Sequence, residues 1–111
     1  MISMVYIMLT GWVPAEKARV FGKRILEGIR KFPTDESVSK LIVQAASTSN
    51  GCIRAFSISE VVDGKITEAI ARASNFAIFY AEGVGEGFKY NVEILMTAME
   101  AMRVIGLEMP E

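Results

Sequence analysis

The tripeptide Ser49-Asn50-Gly51 lies between two runs that alternate as strands do, Val38 to Thr48 and Cys52 to Val61. Asn-Gly is the strongest short-range hairpin signal, because both central residues of the favoured two-residue turn need positive φ. An antiparallel hairpin at the middle of the chain restricts what can flank it. Each outer segment must add strands to this pair or cover its apolar face.

Both flanks do so in a matching order. Met4 to Val13 is rich in β-branched and aromatic residues and apolar on both sides, which predicts a strand buried from two directions. Pro14 stops it and suits the first turn of a helix. Ala18, Phe21, Gly22, Ile25, Ile29 and Phe32 then recur along one helical face until Pro33. Beyond the hairpin, Asp63-Gly64 makes a turn, and Ile66, Ala69, Ile70, Ala73, Ala77 and Tyr80 mark a second amphipathic helix. Gly83 to Gly87 reads as a flexible connection to a last strand, Phe88 to Met96. Ala98 to Ile105 reads as a short helix capped by Gly106 with Leu107 in apolar contact. The order β-α-β-β-α-β plus a short helix predicts one α+β domain over 1–111, an antiparallel four-stranded sheet with two helices on one face.

That arrangement covers only one face of the sheet. Alternation assigns Val5, Ile7, Leu9, Leu41, Val43, Ala45, Ile53, Ala55, Val92 and Ile94 to the helix side. The other set is Tyr6, Met8, Thr10, Trp12, Ile42, Gln44, Arg54, Phe56, Ile58, Asn91, Glu93 and Leu95. It is larger, more aromatic and mixed in polarity. A sheet facing water rarely carries so much Met, Trp, Phe and Ile, so a second sheet is expected to pack across it. Two such sheets would enclose an aromatic cavity with a few polar groups, the usual construction of a small-molecule site.

This element order and lining, from Met4 to about Met96, resemble the dimeric α/β barrel superfamily, a branch of the ferredoxin-like fold that includes antibiotic-biosynthesis monooxygenase-type and stress-response-type barrels. The resemblance implies a homodimer with a ligand cavity between facing sheets. It transfers no histidine-based chemistry, because the chain has no histidine. That absence also removes Ser-His and Cys-His dyads.

The expected ligand-binding set is Tyr6, Met8, Trp12, Gln44, Arg54, Phe56, Asn91 and Glu93. Arg54, Glu93 and Tyr6 are the candidates for any catalysis, which would need no cofactor. Arg54 suits bidentate recognition of a carboxylate or carbonyl oxygen, and Glu93 would act as a base or pair with it. A structural ion pair across the sheet is the competing reading, as core packing is for the aromatic residues. Cys52 reads as a small buried hydrophobe. As the only cysteine it allows no intrachain disulfide, which fits a reducing, cytoplasmic setting.

Other functions fare worse. Twelve Lys/Arg against 13 Asp/Glu give a net charge of −1, against a general polyanion binder. Lys17, Arg19, Lys23, Arg24, Arg30 and Lys31 concentrate in the first helix, where they read as a solvated face. An RRM-type RNA-binding sheet would need more than Phe56 as a stacking aromatic in the third strand. Gly83 to Gly87 follows a helix, contains Glu86 and lacks the Lys-Ser/Thr ending of a phosphate loop. Asp35-Glu36 lacks calcium-loop spacing, so no metal site is expected. No stretch is long enough for a membrane span. The reading is therefore a homodimer that binds, or transforms without a cofactor, a small and largely apolar or aromatic molecule, with a non-catalytic regulatory or structural domain as the alternative.

Overall fold

The computed structural model describes residues 5–108. Its elements are β1 (Val5–Pro14), a short 3-10 turn (Ala15–Lys17), α1 (Ala18–Lys31), β2 (Ser39–Ser49), β3 (Cys52–Val61), α2 (Ile66–Val84), β4 (Lys89–Met96) and α3 (Ala98–Val104). The strands are all antiparallel to their neighbours, in the order β2-β3-β1-β4. This is the ferredoxin-like α+β arrangement that the element order predicts.

The central hairpin forms at the expected turn. Asn50 and Gly51 take φ of 52° and 73°, as the mirror-image two-residue turn requires. The Ala15 N–H donates to the Gly51 carbonyl at 2.9 Å, tying the hairpin tip to the end of β1.

Both long helices pack on the side of β1 that carries Ile7 and Val13. One core cluster joins Ile7, Val61 and Ala69; the other joins Val13, Phe21 and Val84. Phe21 meets Tyr80 edge-on at 5.6 Å between ring centres and Phe88 at 5.8 Å, so the start of α1, the end of α2 and the approach to β4 close on one another. Small residues let the helices approach. A Cβ on Gly28 would lie 3.2 Å from the Tyr80 ring, and one on Gly83 would fall 2.2 Å from Cδ of Arg24.

Two segments depart from expectation. A β-bulge interrupts β2: Leu41 pairs with Ser59 and Val43 with Ile58, leaving Ile42 unmatched. One extra residue reverses the alternation beyond it. Gln44 therefore lies on the helix side opposite Ser57, while Val43 and Ala45 lie on the uncovered face opposite Ile58 and Phe56. The glycine-rich connection also differs, since α2 continues through Gly83 to Val84 and ends at Gly85, with φ of 78°. Lys17 Nζ donates to the carbonyls of Val84 and Glu86, satisfying acceptors at the helix end. Gly87 takes φ of 93° with its missing Cβ site 2.8 Å from Pro14, so this segment is fitted against the end of β1.

The short helix α3 is well delimited. Thr97 Oγ1 accepts from the Glu100 N–H at 3.1 Å. At the other end Gly106 N–H donates to Arg103 O and Leu107 N–H to Met102 O, the paired bonds of a Schellman cap, with φ of 81° at Gly106.

Candidate functional site

Seven of the eight predicted binding residues share the face that α1 and α2 leave uncovered. Across the sheet, β1 contributes Tyr6, Met8, Thr10 and Trp12. Their partners are Glu60, Ile58, Phe56 and Arg54 on β3, and Leu95, Glu93, Asn91 and Lys89 on β4. Paired residues in a sheet point to the same side, so these form one surface. Thr10 is buried at 2% exposure in its middle. Tyr6, Met8, Trp12, Phe56, Ile58 and Leu95 are half-buried, whereas Arg54, Asn91 and Glu93 are exposed.

The register separates the two predicted ionic residues. Arg54 stands beside Trp12, and Glu93 stands beside Met8, four positions away on β1 and on its other flank. At about 3.3 Å per residue and about 4.8 Å per strand spacing, that is about 16 Å within one chain, too far for an ion pair. Arg54 instead lies over the Phe56 ring at 5.0 Å. Tyr6 and Glu93 are diagonal neighbours, so Arg54 is the member left apart.

Separation also sorts the charges. Arg54 and Lys89 flank Trp12 at one end of the face. Glu60 pairs with Tyr6 and Glu93 with Met8 at the other, with Lys40 beyond Glu60 at the sheet edge. Between them run the aromatic and aliphatic side chains. The face is apolar through its middle and dipolar along its length.

Gln44 belongs to a second concavity. On the helix side, α1 and α2 reach β1 but leave β2 bare, with Leu41 51% exposed and Ile29, expected in the α1 core face, 57% exposed. Two connected hollows of about 410 and 300 Å³ lie in that gap. Phe21, Ile25 and Phe88 line the larger; Phe32, Phe76 and Arg72 line the smaller. Leu9, Gln44, Ser57 and Tyr80 border both. Burial holds the Tyr80 hydroxyl protonated above its ordinary range. The sequence did contain a signal for this groove: Ser57 and Ser59 follow Ile53 and Ala55 on the side assigned to helix packing, where a closed core would have no use for two hydroxyls.

Three of the six basic residues at and just before α1, Lys17, Arg24 and Lys31, are engaged within the fold. Lys17 holds the end of α2, and Arg24 lies 3.5 Å over the Phe79 ring centre while donating to the Phe79 carbonyl at 2.7 Å. Lys31 Nζ is 5.0 Å from the same ring. Cys52 is half-buried, with Sγ 3.8 Å from the Ile53 carbonyl. Among the described residues no group of His, Cys, Asp or Glu could hold a metal, and no helix is long and apolar enough to cross a membrane.

The sequence matches no protein-family model and no curated protein. Solved structures do resemble it. A de novo designed protein superposes with a TM-score of 0.57 at 17% identity, over 85% of this chain and 98% of its own. An uncharacterized protein of Thermotoga maritima gives 0.52 at 11% identity, over 83% and 98%. A candidate antibiotic biosynthesis monooxygenase of Caulobacter crescentus CB15 gives 0.50 at 15% identity, over 87% and 92%. At such identities the likeness establishes the fold alone.

Proposed function

We propose that the chain forms a homodimer by packing its uncovered sheet faces together, and that the dimer binds a small, largely apolar or aromatic molecule between them. The observation that carries this reading is the face itself. Tyr6, Met8, Trp12, Phe56, Ile58 and Leu95 form a continuous apolar surface that neither α1 nor α2 covers. Its charge distribution favours a second copy as the cover. A two-fold axis through the middle of the face sets the Arg54–Lys89 end of one copy over the Glu60–Glu93 end of the other. The aromatic middle then encloses the ligand, with Tyr6 and Asn91 as hydrogen-bonding groups beside it.

Arg54 and Glu93 do not meet within one chain, and this favours binding over catalysis. They act in this reading as the ionic rim that orients the two copies. The single cysteine is consistent with a reducing, cytoplasmic location, and the near-neutral net charge argues against nucleic acid as the partner. Native mass spectrometry of gently purified protein tests the proposal. A dimer with a reproducible additional mass is expected, whereas a monomer at micromolar concentration would remove the cavity.

A further inference from the structure

The groove on the helix side is a different place from the dimer face, and its lining is selective. Its larger hollow is walled by Phe21, Ile25 and Phe88 and has no charged side chain. At about 410 Å³ it is the size of a small-ligand site. Gln44, Ser57 and Tyr80 border both hollows and supply the polar side chains of the waist between them. None of the three side chains hydrogen-bonds to another described protein group, and none leaves a sealed, unsatisfied polar atom, so all three remain available through the opening. Arg72, at the far hollow, already donates to the carbonyls of Phe32 and Pro33 and lies close to Asp35.

We infer that this groove binds an elongated, uncharged, mainly apolar molecule carrying a carbonyl or hydroxyl oxygen partway along its length. The apolar arms occupy the two hollows, and the oxygen sits at the waist. Gln44, Ser57 and Tyr80 each offer a donor there, and Tyr80 remains protonated at neutral pH. An ionised ligand is disfavoured, because the larger hollow has no counter-charge and Arg72 is held by backbone oxygens and neighboured by a carboxylate. The larger hollow also touches Ala45 and Phe56, whose positions face the dimer side, but Trp12 and Met8 line neither hollow, so a change at Trp12 tests this site separately from the dimer cavity.

The 111-residue protein is titrated with the uncharged fluorophore N-phenyl-1-naphthylamine, followed by displacement with 5-nonanone and with nonanoate. Saturable binding is expected, with 5-nonanone displacing the probe at least about tenfold more effectively than nonanoate, the effect of about 1.4 kcal/mol. Ala46→Trp, on the exposed bare strand with its side chain over the larger hollow, is expected to abolish probe binding. Gln44→Leu should retain the probe and lose the preference for the ketone. Trp12→Ala should change neither. The inference is overturned by three results: no saturable binding, equal displacement by the two competitors in the wild type, or binding lost in Trp12→Ala and kept in Ala46→Trp. The last result would place the probe on the dimer face. Gln44→Leu keeps the test decisive if Ala46→Trp fails to fold.

Discussion

Replacing Gly83 by alanine makes a sharp test of how the two helices are locked. Gly83 lies in the last turn of α2, where alanine would ordinarily stabilise a helix by about 1 kcal/mol. Here the added Cβ would fall 2.2 Å from Cδ and 2.3 Å from Nε of Arg24, so the arginine has to leave. Its displacement removes a charged hydrogen bond to the Phe79 carbonyl, 2.7 Å long and worth about 1.5–3 kcal/mol. It also removes the stacking on the Phe79 ring at 3.5 Å, worth about 0.5–1 kcal/mol. The exposed Arg24–Glu27 pair adds almost nothing. Gly83→Ala should therefore destabilise the protein by about 1–3 kcal/mol. In an Arg24→Ala background the three nearest obstacles are gone, and the same substitution should be stabilising by about 0.5–1 kcal/mol. Urea unfolding of the four proteins of the double-mutant cycle measures both effects. A Gly83→Ala single variant more stable than wild type, or the same sign in both backgrounds, would refute the packing described for Arg24.

Further outcomes follow from other parts of the molecule. Phe21→Ala, which opens a cavity among Val13, Val84, Tyr80 and Phe88, should cost about 3–5 kcal/mol in urea unfolding. Because burial raises the Tyr80 pKa, its contribution is fully present below the unfolded value near 10 and is lost as pH rises through the folded value; Tyr80→Phe should flatten that alkaline decline in stability. Asp35 is held below 3.8 chiefly by accepting hydrogen bonds from the Ser37 hydroxyl and N–H, so Ser37→Ala should move its NMR titration upward toward 3.8. On the dimer face, Arg54→Glu and Glu93→Arg should each weaken association, while the combined variant restores it; two additive losses in sedimentation equilibrium would refute the head-to-tail arrangement.

Local signals determined most of the fold. The Asn50-Gly51 turn, the apolar stripes of α1 and α2 and the Gly106-Leu107 cap all depend on neighbours within a few residues, and each appears where the pattern puts it. Gln44 fails for a physical reason. Alternation carries no mark of an extra residue, and Ile42 is as good a strand residue as its neighbours, so the bulge that turns Gln44 to the helix side is hidden. Gly83 looks like loop punctuation until the packing of Arg24 against it is known. Phe79 lies off the apolar stripe of α2 and is nevertheless buried, because α1 approaches from the flank. Ile29 is the reverse case, a stripe residue left exposed where α1 does not reach β2. The separation of Arg54 from Glu93 is likewise a matter of register, which pairs strands distant in sequence. Faces were thus legible from local periodicity, whereas which residues on a face stand together was decided by long-range pairing.

Sedimentation velocity of the wild-type protein and of Phe56→Glu, each at micromolar concentration in low and high salt, tests the central proposal most directly. A charge in the middle of the apolar face would be buried without a partner in the dimer. The wild-type dimer is expected to persist at high salt, because the middle of its interface is apolar, and Phe56→Glu to be a folded monomer. A wild-type monomer under both conditions, or a dimer unaffected by Phe56→Glu, would contradict the proposal.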